Sequence, residues 1–186
     1  MALLLQLSRS IDRLTLALGK IIGWLILAAV LVSAGNATMR KLFSISSNAW
    51  LEAQWYLFGL TYLVASAYTL QRNEHVRIDI LSNRLPAKVR NWIDLFGHVF
   101  MLLPISLIMI WEMTPSMLRS FKLGETSANF GGLLIWPAKS FIVIGFALLT
   151  LQAVSEIIKR IAVMRRLIPD PHRTVSHTGP ALEGGA

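Results

Sequence analysis

Gln71-Arg72-Asn73-Glu74-His75-Val76-Arg77-Ile78-Asp79 is the most densely charged run in a chain that is otherwise largely apolar. Long apolar segments flank it on both sides, so it reads as a turn outside a lipid bilayer. The side on which it lies orients the rest of the chain. Composition agrees: of 186 residues, 54% are hydrophobic and only 15% charged, where a soluble domain carries about a quarter. Cysteine is absent, which excludes disulfides, thiolate metal sites and cysteine nucleophiles. A net charge of +8 would point to nucleic acid in a soluble protein. Here the basic residues flank apolar segments and form no continuous stripe, so they point to a membrane surface and not to nucleic acid.

Four apolar segments are long enough to cross, given that about 20 helical residues span the hydrocarbon core. They run over 21–39, about 50–70, about 92–113 and about 133–157. The expected fold is therefore an all-α membrane protein with four transmembrane helices in residues 20–165. Pro104 falls within the third span, where it predicts a kink and not a break, because neighbouring groups re-satisfy the carbonyl it frees. Trp50, Trp92, Trp111 and Trp136 lie near span ends, as an interfacial aromatic belt requires. Before the first span, residues 1–19 place Leu4, Leu7, Ile11, Leu14 and Leu18 at helical spacing, opposite Gln6, Arg9, Ser10 and Arg13. A cleaved signal peptide would need a basic start and a shorter apolar run. An amphipathic helix on the inner surface, or an extension of span one, fits better.

Basic residues orient the bundle. Arg9, Arg13 and Lys20, then Arg72, Arg77, Arg84, Lys88 and Arg90, then Lys159, Arg160, Arg165, Arg166 and Arg173 fall on one side. Arg40, Lys41, Arg119 and Lys122 fall on the other. The positive-inside rule then predicts cytoplasmic termini and a cytoplasmic central turn. Within that turn Ile78, Leu81 and Leu85 share a helical face, Asp79 is placed to cap a short interfacial helix, and Pro86 suits the opening of the next one. Arg72, Glu74, His75, Arg77 and Asp79 thus form a cytoplasmic anchor. Residues 166–186, with Pro169, Pro171, Gly179, Pro180, Gly184 and Gly185, predict a disordered tail. Residues 114–132 read as a polar outer loop whose Met117, Leu118 and Phe121 rest on the membrane.

Little chemistry is visible. There is no phosphate loop, paired-carboxylate motif or nucleophile elbow. His98 is alone inside a span, whereas bis-histidine haem needs two facing ligands; His75, His172 and His177 lie in the turn and the tail. Glu52 and Lys139 each sit just inside the outer end of a span. They pair with each other, snorkel separately, or meet a partner subunit, since an isolated charge in hydrocarbon is costly. Gly59, Thr61, Ala65, Ser66 and Thr69 make a small-residue stripe suited to close helix packing, and Gly19 and Gly23 match the GxxxG spacing.

Glu74-His75-Val76-Arg77-Ile78-Asp79, following Ala65-Ser66-Ala67-Tyr68-Thr69-Leu70, resembles the small membrane subunit (DctQ type) of tripartite ATP-independent periplasmic (TRAP) transporters. Glu125-Thr126-Ser127, Trp136-Pro137, Gly145-Phe146-Ala147-Leu148-Leu149 and Gln152 are also similar to that family, and the resemblance runs from about Ser10 to Arg166. It implies a non-catalytic subunit without a cofactor, set beside a large membrane subunit of about twelve spans. That large subunit would hold the substrate and sodium sites, move as an elevator and form a separate chain. A periplasmic substrate-binding protein would dock on the outer loops, at residues 40–49 and 114–132, and ion gradients would drive uptake of organic acids, sialic acids or related solutes. Two other functions stay open on the residues alone: a small oligomeric channel or carrier, and a membrane anchor of a redox complex.

Overall fold

The computed structural model describes residues 2–44, 47–72 and 86–169. Glu74, His75, Arg77 and Asp79, the interfacial helix expected after them, and the tail from residue 170 lie outside the described residues. Among the described residues the regular structure is helical, with one isolated antiparallel bridge between Thr126 and Leu134.

Helix α1 (Ala2–Phe43) is a single run of 42 residues, about 63 Å long at 1.5 Å per residue. No proline interrupts it, so the amphipathic start passes directly into the first apolar segment. Its faces are inverted relative to a soluble helix. Ser8, Ile11 and Thr15 are buried, while Leu4, Leu7 and Leu14 point outward. Helix α2 (Asn48–Arg72) buries Thr61, Val64, Ala67 and Leu70. Among the described residues three helical stretches are long and apolar enough to cross a membrane: Leu3–Phe43, Val89–Leu123 and Trp136–Met164. α2, the second of the four expected spans, is not among them. It is long enough, but Glu52, Gln54, Thr61, Tyr62, Ser66 and Gln71 dilute its hydropathy.

Pro86 precedes α3 (Ala87–Phe96) and accepts the first turn's amide hydrogen bonds, from Val89 and Arg90, on its carbonyl. A π-helical stretch, Gly97–Leu102, follows, and α4 (Leu103–Leu123) continues from it. Pro104 has no N–H to give the Phe100 carbonyl, and the backbone absorbs this by widening: the Leu103 amide reaches back five residues to the His98 carbonyl. The helix is continuous through the proline. It also runs past Met113, the expected end of the span, because Met117, Leu118 and Phe121 extend the helical pattern. Gly124, in the left-handed region at φ 60°, ends it. The loop expected from Thr114 thus begins at Gly124. Trp136-Pro137 then opens α5 (Trp136–Met164), where the proline lies in the first turn and no amide is missed.

α5 is the hub: α1 and α2 pack on each other and on α5, α4 packs along α5, and α3 meets it near its C-terminal end. Contacts are close where side chains are small. A Cβ on Gly19 would stand 2.3 Å from the Tyr68 ring, and one on Gly145 would stand 2.5 Å from Leu63 Cβ. Gly23 and Gly59 face open space. Of the expected small-residue stripe, Thr61 is buried, Gly59 is exposed, and Ala65, Ser66 and Thr69 are half-buried. The Ser66 and Thr69 hydroxyls donate back to Leu63 and Ser66 carbonyls of their own helix.

Candidate functional site

The two ends of the bundle each hold a polar cluster. At the basic end, which carries the α1 N-terminus and the α5 C-terminus, Gln152, Ser155, Glu156 and Lys159 share one face of α5. Ser8, Asp12 and Thr15 share the facing side of α1. Asp12 Oδ1 accepts hydrogen bonds from Gln152 Nε2 at 3.0 Å and Ser155 Oγ at 2.8 Å, and Lys159 Nζ lies 3.2 Å from Asp12 Oδ2. Lys159 also donates to Glu156 at 2.5 Å, and Thr15 donates to Gln152 Oε1 at 2.9 Å. Ser8 and Ser155 hydroxyls are 2.8 Å apart, and Gln71 of α2 donates to the Asp12 carbonyl at 3.0 Å. A second knot joins α5 to α3: Arg160 reaches Asn91 Oδ1 at 3.0 Å and Asp94 Oδ2 at 2.8 Å. Ser8, Gln152, Ser155, Glu156 and Arg160 are almost wholly buried. Polar groups away from water are costly unless they find partners, and apart from Gln71 Oε1 the groups just named at the α1–α5 seam do, so this cluster ties four helices in one register.

At the opposite end the loop between α4 and α5 closes over the start of α2. Glu52 accepts from Ser127 Oγ, from Asn129 Nδ2 at 2.9 Å and from the Leu133 amide at 2.6 Å. Asn48 donates to the Phe130 carbonyl at 3.0 Å, and Tyr56 donates to the Leu134 carbonyl at 3.1 Å. Gly132 has to be glycine here, because a Cβ would sit 2.9 Å from Glu52 Oε1. Lys139 donates to Ser120 Oγ at 2.5 Å and to Glu125 Oε2 at 3.1 Å. Hydrogen bonds from Ser120 and Lys139 hold the Glu125 carboxyl below its ordinary value of 4.5. The loop so pinned leaves Phe130 97% exposed at its tip.

Glu52 and Lys139 therefore meet through the loop, each on its own partner, and not each other. Arg72 ends α2, where its Nε donates to Tyr68 Oη at 3.2 Å and its guanidinium lies 5.5 Å from that ring's centre. His98 is buried, with Nδ1 bonded to the Asp94 carbonyl. Among the described residues no three His, Asp or Glu side chains converge to hold a metal. The cluster at the basic end escaped the sequence reading, although the spacing of Ser8, Asp12 and Thr15, and of Gln152, Ser155 and Lys159, is a polar stripe at helical period. The Glu125-Thr126-Ser127 motif acquires its role only in the fold: salt bridge, backbone bridge and carboxylate clasp in successive residues.

A family model described as tripartite ATP-independent periplasmic transporters, DctQ component, matches residues 29–163. No curated protein and no solved structure matches the chain.

Proposed function

The chain belongs to the DctQ component family of tripartite ATP-independent periplasmic transporters, whose members are small membrane subunits, and from that membership we propose that it acts as a non-catalytic scaffold. In this reading α2 completes a four-span bundle in the bacterial inner membrane, with the basic end cytoplasmic and the clasped loop periplasmic. The partners are a large membrane subunit of about twelve spans, a periplasmic substrate-binding protein that docks over the loop end, and membrane lipid. A sodium gradient drives the large subunit as an elevator, in symport with an organic acid or related solute. This chain supplies the fixed wall against which the large subunit moves.

One observation carries the scaffold role: the polar groups inside the bundle bind each other. Asp12, Gln152, Ser155, Glu156 and Lys159 are consumed in a mutual network, whereas a conducting path needs polar groups that exchange partners with a solute. Rigid ionic ties between helices suit an element that must keep its tilt while a neighbour moves. The test is reconstitution of the large subunit and binding protein in liposomes under a sodium gradient, with and without this chain. Uptake is expected to require it. Solute flux from this chain alone would overturn the reading in favour of an autonomous carrier.

A further inference from the structure

Glu112 stands deep along α4, on the outward face of the bundle. The hydrogen bonds that bind α4 to α5 set its level: Ser106 meets Thr150 at 2.9 Å, and Ser120 meets Lys139 at 2.5 Å. Phe121 packs edge-on against Trp136 at 5.3 Å. Interpolation between these pairs puts Glu112 level with Gly145, within the uncharged run from Ser140 to Gln152. That is about 13 Å inside Trp136 at 1.5 Å per residue, where half the hydrocarbon thickness is about 15 Å. Yet Glu112 is exposed, has no partner among the described residues, and lies among the outward side chains of Ile105, Ile108 and Trp111, the last 79% exposed. One turn on, Pro115 has no N–H to give the Trp111 carbonyl. Glu112 and the Trp111 carbonyl are thus acceptors on an apolar face where, of the side chains just named, the Trp111 indole N–H alone can donate.

Ionisable side chains at membrane depth turn toward protein and pair there. We infer that the α4 face around Glu112 is the seat of a helix of the large membrane subunit, which offers an arginine or lysine at that depth. This rests on the small-subunit role proposed above. Charge complementarity disfavours a second copy of this chain. A two-fold contact centred on this face would set Glu112 against Glu112.

The experiment co-expresses the chain with its large subunit, purifies through a tag on this chain, and crosslinks from a photoreactive benzoylphenylalanine placed at Ile108. Wild type is expected to recover the large subunit and Ile108 to crosslink to it. Glu112→Lys is expected to recover roughly tenfold less, and Glu112→Gln an intermediate amount. If wild type recovers the large subunit but Glu112→Lys recovers as much, and Ile108 crosslinks only to lipid or to a second copy, the inference falls and the small-subunit role stands. If wild type recovers no large subunit, both fall. The crosslink at Ile108 leaves Glu112 intact, so it decides the matter even where Glu112→Lys fails to accumulate.

Discussion

Lys159 bridges two carboxylates, Asp12 on α1 and Glu156 on its own helix. Removing it takes a cationic partner from each carboxylate inside a packed bundle, which is more harmful than never having placed charges there. Lys159→Met is expected to cost roughly 2–3 kcal/mol, somewhat under the 3–5 of a fully buried pair. Adding Asp12→Asn to Lys159→Met should cost less than the sum of the two, which thermal unfolding of the four variants in detergent would measure. Glu125 makes a pH prediction. Its folded-state pKa is lowered by Ser120 and Lys139, so its contribution is present above the ordinary value of 4.5 and is lost as pH falls through the lower folded value. Protection of the amides in residues 124–135 should hold at pH 6 and fall in the acid range, and Glu125→Gln should weaken that dependence without removing it, because the Glu52 carboxylate holds the same loop. Both residues were visible in the sequence, but their partners were not. Lys139 reads as a lone charge near a span end until the loop carries Glu125 back to it.

Helix contacts turn on two glycines that composition alone does not separate from the others. Gly19 and Gly145 face Tyr68 and Leu63 at distances no side chain tolerates, while Gly23 and Gly59 face open space. Gly19→Leu and Gly145→Leu should each destabilise the bundle by about 1–3 kcal/mol through overpacking. Gly23→Leu and Gly59→Leu should leave unfolding nearly unchanged. Equal losses at all four would refute the packing assignment. The GxxxG spacing of Gly19 and Gly23 was legible, but it does not say which glycine meets a neighbour, since that depends on the angle at which α2 crosses. The length of α4 is a related case. Hydropathy ends the span at Met113 because Glu112 and Thr114 lower the average, whereas backbone hydrogen bonding continues until Gly124 permits a left-handed residue.

Among the described residues most of the oil faces outward and most buried polar groups face each other, with Glu112 the exception on α4, the arrangement expected where lipid is the solvent and packing holds helices together. Because the chain has no cysteine, single reporters would map its orientation. Asn129→Cys is expected to react with a membrane-impermeant maleimide from the periplasmic side, and Arg9→Cys and Leu167→Cys only after the membrane is opened. Labelling of Arg9→Cys in intact spheroplasts would reverse the proposed topology. The sequence by itself determined the membrane class, the helical composition, the charge asymmetry between the two ends and the family resemblance, because each is a sum or pattern over residues near one another. Only the tertiary structure decided which face of each helix is buried, that Asp12 and Lys159 meet across nearly the whole chain, that Glu52 and Lys139 each hold the loop, and that Glu112 lies deep on an outward face. Those depend on helix register, which contacts between residues far apart in sequence impose. The charged turn carries the family resemblance, and the polar work of the described bundle is done by side chains on α1 and α5 and by the loop before α5.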